Sequence, residues 1–339
     1  MNGCANPHDV ALRLIGHAPD AVSAVAGGGN NRLYRVVSRR NVFALKYYPA
    51  DERDRLGAEF GGLEFLVRHG IDAVPRPIAA DAGERMALYE WIDGDKPEDF
   101  SAADLDAVFA FIARLDELGS EGDAAGLPPA SAACLTYGSP FDQLDRRFDR
   151  LRSHAAPYPA LTAFLEGKLV RTRDTLKERY LGLLAATGLG LHEALPPSQR
   201  FLSPSDFGRH NLLRRADGRL VFLDFEYFGW DDPVKFACDF ALHPGSGFPA
   251  VTQAALLSRA NAQFAPRDRF FTARMNGLIG VFGLIWCLIM LNEFVPDSWL
   301  RRAVAGRGGD REASLRHQLL KAERLYSQIQ ELINAGQTF

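Results

Sequence analysis

Residues 203–226 read SPSDFGRHNLLRRADGRLVFLDFE, and the meaning of the whole chain turns on how this stretch folds. Two apolar runs flank Asp217-Gly218, the dipeptide best suited to the positive φ angles of a two-residue type I′ hairpin turn. With those two residues at the centre of the turn, Ala216 faces Arg219 and, at the open end, Asn211 faces Asp224. Facing residues of an antiparallel pair have Cα atoms roughly 4.5–5.5 Å apart. An amide and a carboxylate would therefore meet close enough to share one metal ion, and magnesium takes hard oxygen ligands of this kind. Asp206 lies five residues before Asn211, in the loop that leads into the hairpin. A carboxylate there can accept a proton from a group held beside the metal.

The rest of the composition bounds the partners. A chain of 339 residues, 47% hydrophobic and 24% charged, has ordinary globular composition and a length that suggests about two domains. Its net charge of -3 is spread along the chain, with no basic face for nucleic acid and no polybasic tail for a membrane. The expected partner is a small molecule, with neither nucleic acid nor membrane involved, and nothing in the sequence fixes an oligomeric state. Cys4, Cys134, Cys238 and Cys287 lack metal-ligand spacing and are expected to be reduced thiols. The N-terminal residues have no charged segment followed by an apolar run, so the expected location is cytoplasmic. The apolar stretch Gly277–Leu291 is shorter than the roughly 20 residues of a spanning helix and is expected to be a buried core helix.

Two textures divide the chain. Residues 21–92 contain short β-like runs, AVSAVAG, RLYRVVS, VFALKYY and MALYEWI, separated by turn residues, which predicts a small sheet. From Ser101 the pattern becomes helical. Ser101 with Asp104 makes a capping-box-like start, Leu105, Val108, Phe109, Ile112 and Leu115 recur at helix spacing, and Gly119 ends the run. Further helices are expected from Ser139-Pro140, over about Pro159 to Thr187, and as two segments in the C-terminal ninety residues. A β-rich island at 199–228 interrupts them. The expected fold class is α+β, with lobes at 1–92 and 93–339.

The Asp206-x-x-x-x-Asn211 spacing is that of a kinase catalytic loop, so the letters Asp-Phe-Gly at 206–208 are a decoy for the metal-binding Asp-Phe-Gly motif of protein kinases. The corresponding metal residue is Asp224, with Glu226 in place of that motif's Gly. Here the sequence resembles the aminoglycoside phosphotransferase and choline kinase family, small-molecule kinases with a protein-kinase-like bilobal fold, over about residues 20–300. GGGNNRLYRV resembles the family's glycine-containing nucleotide loop, which implies roles for Gly28, Gly29 and Asn31. FALK resembles the strand that carries its phosphate-binding lysine, here Lys46. AEFGGLEFLVRHGIDAVPRPI resembles the helix that supplies the lysine's acidic partner, here Glu59. LYEWIDG resembles the hinge, where backbone groups of Glu90, Trp91 and Ile92 would meet an adenine. Two departures stand out. Pro204-Ser205-Asp206 replaces the family's His-Gly-Asp, and GWDDPVKFACDF is longer than its usual Gly-Asp-Pro segment, so no role follows for Asp239.

Each feature alone has a plainer reading. A glycine run is usually a turn, a strand lysine often snorkels, and Asn211 and Asp224 could cap turns. Their order along the chain is what distinguishes them. The resemblance implies ATP and Mg²⁺, Lys46 oriented by Glu59 on the phosphates, Asn211 and Asp224 on the metal, and Asp206 as the base for an acceptor hydroxyl. The absence of an Ala-Pro-Glu activation segment favours a small acceptor over a protein. The family's acceptor region corresponds to residues 139–184 and 267–300, whose mixed charges favour a sugar, amino sugar or polar alcohol. A nucleotide-binding regulatory module and an antibiotic-modifying kinase remain as alternatives.

Overall fold

The structure, a computed structural model, describes residues 6–25, 32–50, 52–302 and 309–334. The expected loop residues Gly28, Gly29 and Asn31 lie outside the described residues. The chain divides into two compact units, one formed by Met1–Ser131 with Pro204–Gly229 and the other by Ala132–Ser203 with Trp230–Phe339. Residues 93–131 and 204–229 thus group with the sheet, although the texture of the sequence changes at about residue 92.

In the first unit, α1 (Pro7–Ile15) precedes β1 (Ala21–Val25), β2 (Arg32–Ser38) and β3 (Asn41–Tyr47). Helix α2 (Arg55–Arg68) separates them from β4 (Pro77–Asp81) and β5 (Met86–Glu90), and α3 (Ala102–Leu118) follows. The strands form one antiparallel sheet in the order β1-β2-β3-β5-β4. One face is apolar because alternate side chains point the same way: Val36, Leu45, Met86 and Leu88 pack with Val10 and Ala11 of α1. The same alternation sends Lys46 to the opposite face from Leu45. Helix α3 begins as its sequence predicts. Ser101 caps it, and Asp104 reciprocates by accepting from the Ser101 backbone.

The 212–222 hairpin forms, but one residue out of the expected register. Leu212 pairs with Phe222, Leu213 with Val221 and Arg214 with Leu220. The loop has three central residues, Ala216, Asp217 and Gly218, with Gly218 at φ 86°. The Gly218 N–H donates to Arg215 O (2.9 Å), and the Arg215 N–H donates to Arg219 O (2.9 Å). This is a turn followed by a left-handed glycine, the next most common hairpin connection after the two-residue loop. The Asp217 carboxylate favours it by accepting from the Arg219 N–H at 3.0 Å. Asn211 therefore lies opposite Leu223, whose N–H it receives at 2.9 Å, and does not face Asp224.

The second unit is helical. Helix α4 (Ser139–Arg152) is followed by α5 (Pro159–Phe164), a π turn at Leu165–Leu169 and α6 (Val170–Thr187). Then come α7 (Pro233–Leu242), α8 (Ala250–Phe264), α9 (Phe271–Met290), α10 (Pro296–Arg302) and α11 (Arg311–Asn334). Among the described residues the last four stand where two C-terminal helices were expected, with α8 ending at Phe264 and α9 at Met290. Helix α9, with its extension to Phe294, is long and apolar enough to cross a membrane. Here it is the core of the unit, packed by α4, α6, α7, α8 and α11. Cys134, Cys238 and Cys287 are free thiols and buried.

The long segment after Asp224 builds an ion network in this second unit. Asp232 caps α7 by accepting from the Val234 N–H at 2.9 Å, and Arg274 binds Asp232 (2.6 Å) and Asp268 (2.7 Å). Lys235 lies between Asp231 (3.3 Å) and Asp239 (3.0 Å). Asp239 is thus a partner in a buried salt bridge.

Candidate active site

The first unit brings Lys46, Glu59 and Asp224 together. Lys46 and Tyr48, two residues apart, share a face of the sheet, while Glu59 lies one turn into α2 from Arg55. The Lys46 ammonium donates to Glu59 Oε2 at 2.6 Å and to Asp224 Oδ1 at 2.6 Å. Tyr48 donates its hydroxyl to the same Glu59 oxygen at 2.7 Å and meets the Tyr89 hydroxyl at 2.6 Å. Lys46 is 9% exposed and Glu59 5%, whereas a third of the Asp224 side chain reaches solvent. Burial opposes the Lys46 charge, but Asp224, Glu59 and Glu226 outweigh it and hold its pKa above the ordinary lysine value. Burial also raises the Tyr48 and Tyr89 phenols well above the ordinary tyrosine value. Both hydroxyls therefore keep their protons as donors.

Asp224 is placed by its own backbone rather than by the hairpin ladder. Its φ of 67° is left-handed, a conformation that Asp tolerates better than most residues, and it turns the chain as it leaves Leu223. The loop before the hairpin has a second such turn. Ser205 has a φ of 65°, so the backbone there has the conformation a glycine adopts freely, at the position where the resembled family has Gly. Immediately after it, Asp206 accepts from the Asn211 amide nitrogen at 2.9 Å through its backbone carbonyl, and its carboxylate lies 3.7 Å from His210 Nε2.

Both candidate acids are followed by a buried phenylalanine. Phe207 stacks against Phe222 with ring centroids 5.7 Å apart, and Phe222 stacks on Phe111 of α3 at 3.9 Å. Phe225 meets the edge of Phe111 at 6.3 Å. The hairpin is strapped to the segment after β5 by reciprocal backbone bonds between Asp95 and Arg214 (3.0 and 2.8 Å). The Arg214 guanidinium also holds the Asp104 carboxylate at 2.8 Å.

At the end of β5 the Glu90 N–H donates to Arg76 O (2.8 Å) and the Trp91 N–H to Val42 O (3.4 Å). Two of the three amides expected to face a nucleotide, those of Glu90 and Trp91, are thus engaged within the fold. A cavity of about 520 Å³ opens just beyond, lined by Asp93–Asp99 and Arg214–Ala216. Among the candidates, Asp206 and Asn211 meet each other, and Lys46, Glu59 and Asp224 meet one another. The sequence reading missed Tyr48, Tyr89 and Arg55, and noted Glu226 without giving it a role. Only the i+2 spacing of Tyr48 from Lys46 could have signalled the first of them.

The donor chemistry suits a hard cation. Because the Asn211 nitrogen is committed to the Asp206 carbonyl, its side-chain oxygen is the atom to offer, and Asp224 supplies a partly exposed carboxylate.

Residues 21–272 match the family described as "Phosphotransferase enzyme family". No curated protein matches the chain. Among solved structures, the choline kinase LicA from Streptococcus pneumoniae is similar with a TM-score of 0.58 at 16% identity, over 94% of this chain and 98% of that one. Spectinomycin phosphotransferase APH(9)-Ia, in complex with ADP and spectinomycin, has a TM-score of 0.60 at 10% identity, over 98% of each chain. Ethanolamine kinase from Plasmodium vivax has a TM-score of 0.55 at 11% identity, over 91% of this chain and 83% of that one. At these identities the likeness carries the fold alone: α+β and kinase-like, with a small antiparallel sheet followed by mainly helical chain.

Proposed function

Since the chain belongs to the phosphotransferase enzyme family, we propose that it transfers the γ-phosphoryl group of ATP to a hydroxyl of a small molecule. The observation that carries this reading is the buried Lys46 ammonium shared at 2.6 Å between Glu59 and Asp224, with the Asp206–Asn211 loop entering the same hairpin. Glu59 and Tyr48 hold the lysine in one place, where it would bind the α- and β-phosphates. Ile92 would meet the adenine at the hinge. Asn211 and Asp224 would hold Mg²⁺, which when bound offsets the negative charge of the phosphates. Asp206 would orient the acceptor hydroxyl and take its proton as the oxygen bonds to the γ-phosphorus. The bond from that phosphorus to the β-γ bridging oxygen then breaks and ADP leaves. Positioning and charge stabilisation do most of the work in such a transfer.

Charge distribution supports a neutral or singly charged polar alcohol, such as a sugar or amino sugar, over a polycation. Asp145 of α4 is already paired with Lys177 (3.4 Å) and Arg173 (3.6 Å), so α4 and α6 offer no concentrated acidic face. The similar structures carry choline, ethanolamine and spectinomycin in their names, which supports a small acceptor without choosing among them.

The test is ADP release by the purified protein with MgATP against sugars, amino sugars, choline, amino alcohols and aminoglycosides. Turnover with one class, reduced about 10²–10⁴-fold in Asp206→Asn, is the expected result. Turnover that survives that substitution would overturn the role of Asp206, and no ADP release with any acceptor would remove support for the kinase reading.

A further inference from the structure

Helix α2 and the segment that follows Asp224 are joined by side chains that the proposed transfer does not use. Arg55 opens α2 and is buried, as is Glu226. Arg55 Nη1 donates to Glu226 Oε1 at 2.7 Å and to the Tyr227 hydroxyl at 2.6 Å, and its guanidinium carbon lies 5.1 Å from the Tyr227 ring centroid. Further along α2, Gly62 lies so close to Phe228 that an added Cβ would sit 2.6 Å from the ring. Arg55, Glu59 and Gly62 are spaced i, i+4, i+7 and so share one face of the helix. That face meets, in turn, Glu226, Lys46 and Phe228.

We propose that the Arg55–Glu226 pair is a latch that fixes Glu59 of α2 relative to Asp224, so that both residues are positioning residues for the Lys46 ammonium. One carboxylate oxygen from each of Glu59, Asp224 and Glu226 lies within 4.8 Å of the other two, so a small slide of α2 against the 224–228 segment would change both Lys46 contacts. The N–H groups of a planar guanidinium have fixed directions and resist such a slide, and here one nitrogen, Nη1, holds two consecutive residues, Glu226 and Tyr227. Glu226 is committed to Arg55 and is 4% exposed, unlike the partly exposed Asp224. Its place is therefore in the support rather than on the nucleotide. Apolar residues of similar volume often replace a buried ion pair without loss of stability, so positioning can be separated from stability.

The variants are Arg55→Met/Glu226→Leu, which removes both charges together, Glu226→Gln, which keeps the shape, and the exchange Arg55→Glu/Glu226→Arg. Hydrogen exchange on the full chain without ligand is measured first. Amides of residues 224–229 and of the first two turns of α2 should exchange at least about tenfold faster in the apolar double variant, with β2, β3 and α3 unchanged. Unchanged exchange at 224–229, or an even increase through the whole unit, would overturn the latch.

The kinetic arm rests on the kinase reading. There kcat should fall about 10- to 100-fold with the KM for ATP within about threefold, and the charge exchange should recover part of the loss. A loosened variant with unchanged kcat would overturn the positioning role. A wild type without phosphoryl transfer would count against the kinase reading, while the exchange data would still decide the latch.

Discussion

Replacing Lys46 with methionine removes the only cation that touches both Glu59 and Asp224 among the described contacts. At 2.6 Å each contact is worth about 6 kcal/mol of attraction at an effective dielectric of about 20. Burying the charges costs several kcal/mol per ion. Breaking a buried pair by deleting one partner therefore leaves a net loss of about 3–5 kcal/mol. Most of it falls on Glu59, because water screens the exposed third of Asp224. For a domain of this size that corresponds to a fall of about 6–20 °C in Tm. Scanning calorimetry in EDTA at pH 7.5 measures it without nucleotide or metal. Lys46→Met/Glu59→Gln should recover at least half of the loss, since the amide oxygen still accepts from Tyr48. A loss under about 1 kcal/mol, or a double variant no better than the single one, would refute the shared-ammonium reading.

Three further outcomes follow from other contacts. Lys235→Met strands the fully buried Asp231 with Asp239, and should cost about 3–5 kcal/mol at pH 8. Burial raises the Asp231 carboxyl pKa, so the folded variant binds protons more readily than the unfolded chain and its deficit should narrow toward pH 5. In the wild type Lys235 opposes that rise and, with its own pKa raised from 10.5, stays charged over that range, so its removal raises the Asp231 carboxyl further; a deficit that stays flat or widens in urea titrations at both pH values would contradict the geometry. Gly62→Ala should destabilise by about 1–3 kcal/mol because its Cβ meets the buried Phe228 ring, and an unchanged melting curve would show that the ring can yield. Ser205→Gly should stabilise by about 0.5–1 kcal/mol, the left-handed strain released less the added chain entropy. A loss of stability would mean that the serine hydroxyl matters more than the φ angle.

Local signals in the sequence carried much of the fold. The Ser101–Asp104 capping box, the strand alternation that turns Lys46 away from Leu45, and an Asp-Gly hairpin all depend on neighbours a few residues away, and all are present. The register slipped because Asp-Gly serves two turn types, one with both residues central and one with the glycine as a left-handed bulge. A single extra loop residue moves every facing pair, and pattern alone does not choose between them. The slip mattered at Asp224, whose place comes from its own positive φ and from Lys46, 178 residues away in sequence. The Arg55–Glu226 and Tyr48–Tyr89 contacts were illegible for the same reason, since each needs α2 or β5 already docked. The division of the C-terminal region was legible, since Pro266, Pro296 and the glycines at 306, 308 and 309 are stop signals, and four helices stand there among the described residues rather than the two expected.

The stacked rings of Phe111, Phe207 and Phe222, with Phe225 set edge-on against Phe111, have an implication for how such a protein could diversify. Asp206 and Asp224 are each rooted by the next residue in a common aromatic wedge, so neither can shift without opening a gap behind it. On the roles proposed for Asp206 and Asp224, a change of acceptor would fall to residues outside the wedge.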